Sequence, residues 1–362
     1  MEGVVMDPAF WKGRRVFLTG HTGFKGGWLA LWLQRLGAHV TGFSLDAPTQ
    51  PSLFKVANVA AGMHGVHGDI RDLVALTAAI RIARPEVILH LAAQSLVRAS
   101  YDDPVGTYAT NVMGTLHVLQ AARAVEGVRS IVVVTTDKCY ENHEWVWGYR
   151  EQDPMGGFDP YSSSKGCAEL VTASMRNSFF PPHAHDRHGV AIASARAGNV
   201  IGGGDWAADR LVPDMLRSLA SGSVAMLRSP GAIRPWQHVL DPLAGYLQLA
   251  ERLHVDGAVC GEAWNFGPDE SDAWPVQRLA ERLVAAWGSG VACRAAEGSA
   301  GPHEAHWLKL DSSKARQRLG WRPRWHIEQA IDQTVAWARA HHGGMDMHRF
   351  TIGQIEEYLS CM

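Results

Sequence analysis

Apolar positions along the chain fall into short runs that alternate with longer segments repeating every three to four residues. Val16–Thr19, His39–Phe43, Val87–Leu91, Ile131–Val134 and "GVAIASARA" (189–197) read as strands, the last three as buried ones. After the first of them Trp28, Leu29, Trp32, Leu33 and Leu36 share one helical face, which Gly37 closes. Strands alternating with helices of this length predict a parallel sheet covered on both faces. The rhythm breaks after "ARAGNVIGGGDW", which predicts a crossing into a second lobe. "AWNFGP" (263–268) reads as one more strand returning to the sheet. "VQRLAERLVAAWG" and "IEQAIDQTVAWARAHH" read as amphipathic helices whose aromatic residues belong to the core.

Composition narrows the function classes. The 362 residues suffice for two domains or one large α/β unit with a lobe, and 46% hydrophobic residues supply a substantial core. Lys and Arg number 34 against 36 Asp and Glu, a net charge of −2, so no basic footprint for nucleic acid is expected. No apolar run approaches the roughly 18 residues of a membrane span. "MEGVVMDPAFWKGRR" lacks the basic and apolar regions of a secretory signal, so none is expected. The five cysteines form no CxxC pair, which argues against a zinc site or disulfide framework and suits a reducing cytosol. The expected location is cytoplasmic. Four cysteines read as small fillers, and Cys139 stays open because it adjoins a strand tip rich in reactive groups.

The candidate chemistry lies at the strand ends. Gly20, Gly23 and Gly26 stand between the first strand and its helix, where backbone can approach a pyrophosphate and the helix N-terminus offers unpaired N–H groups. Asp46, 20 residues after Gly26, or Ser44, nearer the strand end, is placed to hold an adenosine ribose. No cation follows this strand, which favours NAD over NADP. Asp69 in "GDIRD" could meet the adenine amino group or simply cap a helix. Ala92 and Ala93 are small enough for a flat cofactor to lie on. Ligands of such sheets bind beyond the carboxyl ends of the strands, where 92–94, 135–138 and 196–199 all fall.

One of those ends is unusual. "SIVVVTTDKCYEN" runs from buried strand straight into two hydroxyls, an acid and an amine. Tyr161 and Lys165 in "DPYSSSKGCAELV" are four apart and share a helical face. An ammonium there lowers the phenol's pKa and makes Tyr161 a general base for a hydroxyl. His183, His185 and His188 with Asp186 form a loose cluster in a Pro-rich loop, read as solvated rather than as a metal site.

With TGxxGxxG, "HLAAQ", Asn111 in "TNVMGT" and YxxxK, the chain resembles the extended short-chain dehydrogenase/reductase superfamily over nearly its whole length. "TGHTGFKGGWLALWL", "TTDKCYEN", "ARAGNVIGGGDWAADRLVPD" and "RPWQHVLDPLAGYL" look specifically like the CDP-glucose 4,6-dehydratase family. The resemblance implies a Rossmann-type doubly wound parallel sheet with a smaller mixed C-terminal lobe. Residues 1–199 with about 236–268 would bind NAD, and about 200–235 with 269–362 the nucleotide sugar. It implies cofactor contacts at Gly20, Gly23, Phe24, Gly26, Asp46, Asp69, Ile70, Ala92, Ala93, Tyr161 and Lys165, and substrate diphosphate contacts at Asn199 and Arg234. Arg98 is a further candidate, balanced against a surface salt bridge.

The implied reaction is redox-neutral. Tyr161 with Lys165 takes the 4-hydroxyl proton while the C4 hydride passes to NAD; Thr136 hydrogen-bonds the 4-oxygen; water leaves across C5 and C6; the hydride returns to C6. dTDP-glucose dehydratases carry Thr-Asp-Glu at the strand tip, with Asp as acid and Glu as C5 base. Here the triad is Thr136-Asp137-Lys138. Asp137 can serve as the acid. Lys138 is a base only if neutral, and otherwise stabilises the enolate as a cation. The other readings are a UDP-, dTDP- or GDP-sugar dehydratase, a 4-epimerase, which needs no acid–base pair at the tip, and a non-catalytic dinucleotide binder. The resemblance also implies a homodimer or homotetramer, dimerising through the helix after "YATNVMGTLHVLQAARAV" and that carrying Tyr161.

Overall fold

The structure is a computed structural model that describes residues 6–288, 293–295 and 306–361. Residues 1–5 of the stretch read for a secretory signal lie outside it. Seven parallel strands form the central sheet: β1 (Arg15–Thr19), β2 (His39–Ser44), β3 (His64–His67), β4 (Val87–His90), β5 (Ser130–Val134), β6 (Ala191–Ala197) and β7 (Ala263–Phe266). Their order is β7-β6-β5-β4-β1-β2-β3. The chain therefore reverses its direction of winding between β1 and β4, the place where the crossovers leave to opposite faces and open a crevice. Thr19 pairs with both Phe43 and His90, and Val134 with Ala195, so these strands end at one level.

Both faces are covered. In β5, Ile131 and Val133 pack with Leu76, Ile80 and Val118, while Val132 and Val134 pack with Trp28, Leu29 and Leu243 on the other side. That double burial explains the unbroken apolar run in the sequence, since each Val or Ile so buried contributes roughly 1.5–3 kcal/mol. The helices that matter for the site are α1 (Phe24–Arg35), α2 (Leu73–Ala83), α3 (Gly114–Arg123) and α4 (Pro160–Phe179). Asp159 starts α4 by accepting from the Ser162 backbone at 2.9 Å, and Pro160 occupies the first helical position, where its missing N–H costs nothing.

The second lobe gathers α5 (Leu211–Ser221), α7 (Val276–Trp287), α8 (Ile327–His342) and short strand pairs, among them Ile233–Pro235 against Ala273–Pro275. Between α5 and α7 the chain returns to the sheet domain as α6 (Leu240–Asp256), which lies against β5 and β6. Val212, Met215, Leu279, Leu283 and Ile331 form the lobe's own core. The last helix, α9 (Met347–Ser360), has no counterpart in the sequence reading. It packs on both α8 and α1: Trp337 donates to the Thr351 hydroxyl at 2.9 Å, Tyr358 meets Trp32 at 5.5 Å and Glu356 pairs with Arg35 at 2.7 Å.

Candidate active site

A cleft of about 1230 Å³ opens above the carboxyl ends of β1, β2, β4, β5 and β6 and runs toward the second lobe. It exceeds the roughly 300–1,000 Å³ of a single small-molecule site. Each cofactor, substrate and catalytic residue expected from sequence lines it, from Gly20 and Asp46 through Thr136, Tyr161 and Lys165 to Asn199 and Arg234.

The nucleotide end is a backbone cradle. Gly20 has φ +80°, and a Cβ there would lie 2.7 Å from the Ala92 nitrogen; a Cβ on Gly26 would lie 2.1 Å from the Gly20 oxygen. The turn closes only with glycine at both places, which leaves the N-terminus of α1 open to a pyrophosphate. These residues fit a dinucleotide. Ser44 turns inward, its hydroxyl 2.7 Å from that of Thr22, whereas the Asp46 side chain is 97% exposed and 3.8 Å from His67. Asp69 is not the cap of α2, a role taken by Asp72. It accepts instead from Arg71, which holds its carboxyl below the usual range.

The candidate catalytic residues sit at the tip of β5. Thr136, Asp137 and Lys138 enter a 3-10 turn, Asp137–Cys139. Asp137 is 1% exposed; Oδ1 accepts from the Thr136 hydroxyl at 3.0 Å, and Oδ2 has no hydrogen-bond partner among the described residues. Lys138 is half-buried at the wall. Tyr161 lies within hydrogen-bonding reach of Thr136. Lys165 donates to the Val134 carbonyl at 3.2 Å. Burial pushes the Tyr161 phenol up to about 12 and pulls Lys165 down to about 8. Without ligands the phenol is thus held protonated, against the lowering expected from a neighbouring ammonium, because desolvation outweighs it.

Toward the lobe, Asn199 Oδ1 is buried with no hydrogen-bond partner among the described residues, and Arg234 donates to the carbonyls of Ile233 and His306 at 2.9 and 3.3 Å. Arg98 pairs with Asp209 at 3.5 Å, as the salt-bridge reading expects, and lines the cleft. Cys139 is buried and its thiol is pushed far above its usual range, which makes it filler. His188 bonds the Pro181 carbonyl and stands edge-on to His185, and the described residues hold no group of three metal-ligating side chains. Sequence reasoning passed over Lys25, Glu169 and Arg210. Lys25, in the first turn of α1, and Arg210 line the cleft, and Glu169 lies one turn beyond Lys165 on its face of α4. That four-residue spacing was the available signal for Glu169.

Comparison with known proteins agrees with this geometry. A profile of the family described as GDP-mannose 4,6 dehydratase matches residues 17–334. The chain is 52% identical over 357 residues to the CDP-glucose 4,6-dehydratase of Salmonella typhimurium, covering 99% of each. It is 26% identical to a dTDP-glucose 4,6-dehydratase of Xanthomonas campestris, covering 88% of this chain and 92% of that one. Among solved structures, the dTDP-glucose 4,6-dehydratase DesIV of Streptomyces venezuelae with NAD bound superposes with a TM-score of 0.72 at 25% identity, over 91% of this chain and 98% of that one. A UDP-glucose 4-epimerase of Stenotrophomonas maltophila shares the fold with a TM-score of 0.78 at 20% identity, over 91% and 99%. The chain belongs to the GDP-mannose 4,6-dehydratase family of the extended short-chain dehydrogenases/reductases, and within it to the CDP-glucose 4,6-dehydratases.

Proposed function

We propose that this protein converts CDP-glucose to CDP-4-keto-6-deoxy-glucose with NAD held in the glycine cradle. The observation that carries the dehydratase reading is Asp137 Oδ2, a buried carboxylate oxygen with no hydrogen-bond partner among the described residues, on the turn that also carries Thr136 and Lys138. An epimerase has no leaving hydroxyl to protonate and no use for it. The choice of CDP-glucose over a dTDP-sugar rests on 52% against 26% identity to the respective enzymes.

NAD, when bound, supplies the hydride acceptor at C4 and the donor at C6. Every other demand falls on side chains. Tyr161 accepts the 4-hydroxyl proton, helped by Lys165, whose positive charge favours the phenolate once substrate and cofactor displace water. Thr136 hydrogen-bonds the same oxygen. The 4-ketone acidifies C5, and Lys138 removes that proton. Asp137 protonates the departing 6-hydroxyl. Asn199 and Arg234 hold the sugar diphosphate, a guanidinium fork suiting phosphate oxygens. Asp46 accepts from the adenosine ribose, being the exposed carboxylate at the end of β2, and Asp69 from the adenine amino group.

The assembly we propose is a cytoplasmic homodimer. The stretch from residue 97 to α3 exposes Val105 and Met113, and α4 exposes Leu170, three apolar side chains on the two helical layers that the superfamily resemblance assigns to dimerisation. No described helix is long and apolar enough to cross a membrane.

The test is incubation of the purified protein, without added NAD, with CDP-glucose, UDP-glucose, dTDP-glucose and GDP-mannose in turn. Loss of one water from CDP-glucose alone, read by mass spectrometry, is expected. Dehydration of another nucleotide sugar in preference overturns the base assignment, and C4 epimer formation overturns the dehydratase.

A further inference from the structure

Behind the strand tip lies a polar cluster to which the reaction scheme gives no role. Helix α4 presents Tyr161, Lys165 and Glu169 at four-residue intervals, hence on one face. Glu169 pairs with Arg196 at 2.9 Å, the two side chains 5% and 3% exposed. Glu169 also accepts from the hydroxyls of Thr135 and, at 2.6 Å, Ser194. From the other end of the pair, Arg196 Nη1 donates to the Tyr140 hydroxyl at 2.7 Å, which donates to Asn265 Oδ1 at 2.7 Å. The guanidinium carbon stands 5.0 Å from the centre of the Tyr140 ring.

Thr135 and Tyr140 flank the turn that holds Thr136, Asp137 and Lys138. The turn closes itself weakly: Lys138 N reaches Thr136 Oγ1, and Cys139 N reaches the Thr136 carbonyl, both at 3.4 Å. Protein hydrogen bonds ordinarily fall near 2.7–3.2 Å. The shape of the turn therefore depends on what anchors its two ends, and the ion pair reaches both. Stability alone does not account for two charges at this depth, since apolar residues of the same volume are often as stabilising as a buried pair.

The same carboxylate faces the lysine of the YxxxK motif. Lys165 is surrounded by Tyr161 and Glu169 on its own helix, Cys139 from the turn, His90 from β4 and Lys25 from α1. Burial leaves the Cys139 thiol and the His90 ring neutral. Burial also works to keep the Glu169 acid protonated, but Arg196 and the two hydroxyl donors overcome it, so Glu169 is the anion among these neighbours.

We propose that Glu169 and Arg196 are positioning residues of the active site, fixing both ends of the Thr136–Lys138 turn and giving Lys165 its counter-charge. The proposal rests on the reaction assigned above for the meaning of the turn, though not for the charge on Lys165.

Two variants test it. Glu169→Gln preserves size and an acceptor oxygen while removing the charge. Acylation of Lys165 at a series of pH values, followed by mass spectrometry without substrate, reads the titration of that amine. Its midpoint is expected to fall by about one to two units in Glu169→Gln, the scale of one unit charge at this range; an unmoved midpoint overturns the counter-charge. Tyr140→Phe keeps the ring against the guanidinium but cuts the links to Arg196 and Asn265. With CDP-glucose its kcat is expected to fall about tenfold or more with KM within about twofold, the scale of a misplaced catalytic group. Reduced nicotinamide should accumulate, because oxidation at C4 depends on Tyr161 and Lys165 while elimination depends on the turn. Wild-type rates without that accumulation overturn the anchoring. If the unaltered protein dehydrates no nucleotide sugar, the reaction reading fails, and the Lys165 titration still decides the role of the pair.

Discussion

Asp137 and Gly198 approach so closely that a Cβ on residue 198 would lie 2.9 Å from Asp137 Oδ2 and 2.8 Å from the Pro235 ring. The carboxylate oxygen assigned to the leaving hydroxyl thus occupies a space that only glycine leaves open. Gly198→Ala is expected to displace Asp137 while leaving the cradle at Gly20–Gly26 untouched. The NAD content of the purified protein should stay constant while kcat falls about a hundredfold, the scale of an ångström-level misplacement. Nucleotide analysis of denatured protein and product formation measure the two quantities.

That relationship was invisible in the sequence, where Gly198 is one of 37 glycines. Strand ends were legible because buried parallel strands are continuous apolar runs, and β1 and β5 are recovered to within a residue. The glycine turn was legible because close backbone approach admits no other residue. Pairings across the fold were not. Nothing local says that Glu169 on α4 meets Arg196 at the end of β6, or that Asp72 rather than Asp69 caps α2. The terminal helix α9 escaped notice because its buried positions are few and polar ones, Thr351 and Gln354, stand among them beside Ile355 and Tyr358.

The depressed pKa of Lys165 carries a consequence for stability. In the folded, ligand-free protein the amine titrates near 8, against an unfolded value of 10.5. Between those values the unfolded chain holds a proton that the folded one has shed, so stability rises with pH across that window. The penalty for burying the ammonium is fully present below about pH 8. Lys165→Met has no such term. Denaturant unfolding of both proteins, stripped of nucleotide, should show the wild type gaining roughly 3 kcal/mol on the variant between pH 8 and 10.5. A constant difference would mean that Lys165 is not desolvated as the structure has it.

Leu170 is 61% exposed on α4, the helix that presents Tyr161 and Lys165 to the cleft from its other face. The helix carrying it packs on Pro104–Tyr108 and Ala109–Met113, where Val105 and Met113 are 78% and 45% exposed, and three such apolar side chains suit a surface covered by a second copy. Leu170→Glu would set two carboxylates against that contact. Light scattering is expected to give the dimer mass for the unaltered protein and the monomer mass for Leu170→Glu. A monomer in both cases removes the interface.

In the proposed reaction Lys138 decides how the C5 proton leaves. It lines the cleft from the same turn as Asp137, so a base and an acid on consecutive residues would face adjacent carbons of the sugar. If the amine abstracts the proton, a carboxylate of similar reach can replace it, since what matters is a lone pair at that point. If instead the ammonium stabilises the enolate, a carboxylate there repels it and the step fails. Turnover in deuterium oxide labels C5 whenever the proton is removed and replaced. The base reading predicts that Lys138→Glu still incorporates deuterium, with kcat lowered about ten- to a hundredfold, while Lys138→Met incorporates none. Loss of label in both variants, with reduced nicotinamide still formed from CDP-glucose, would assign Lys138 to the enolate and the proton to another group.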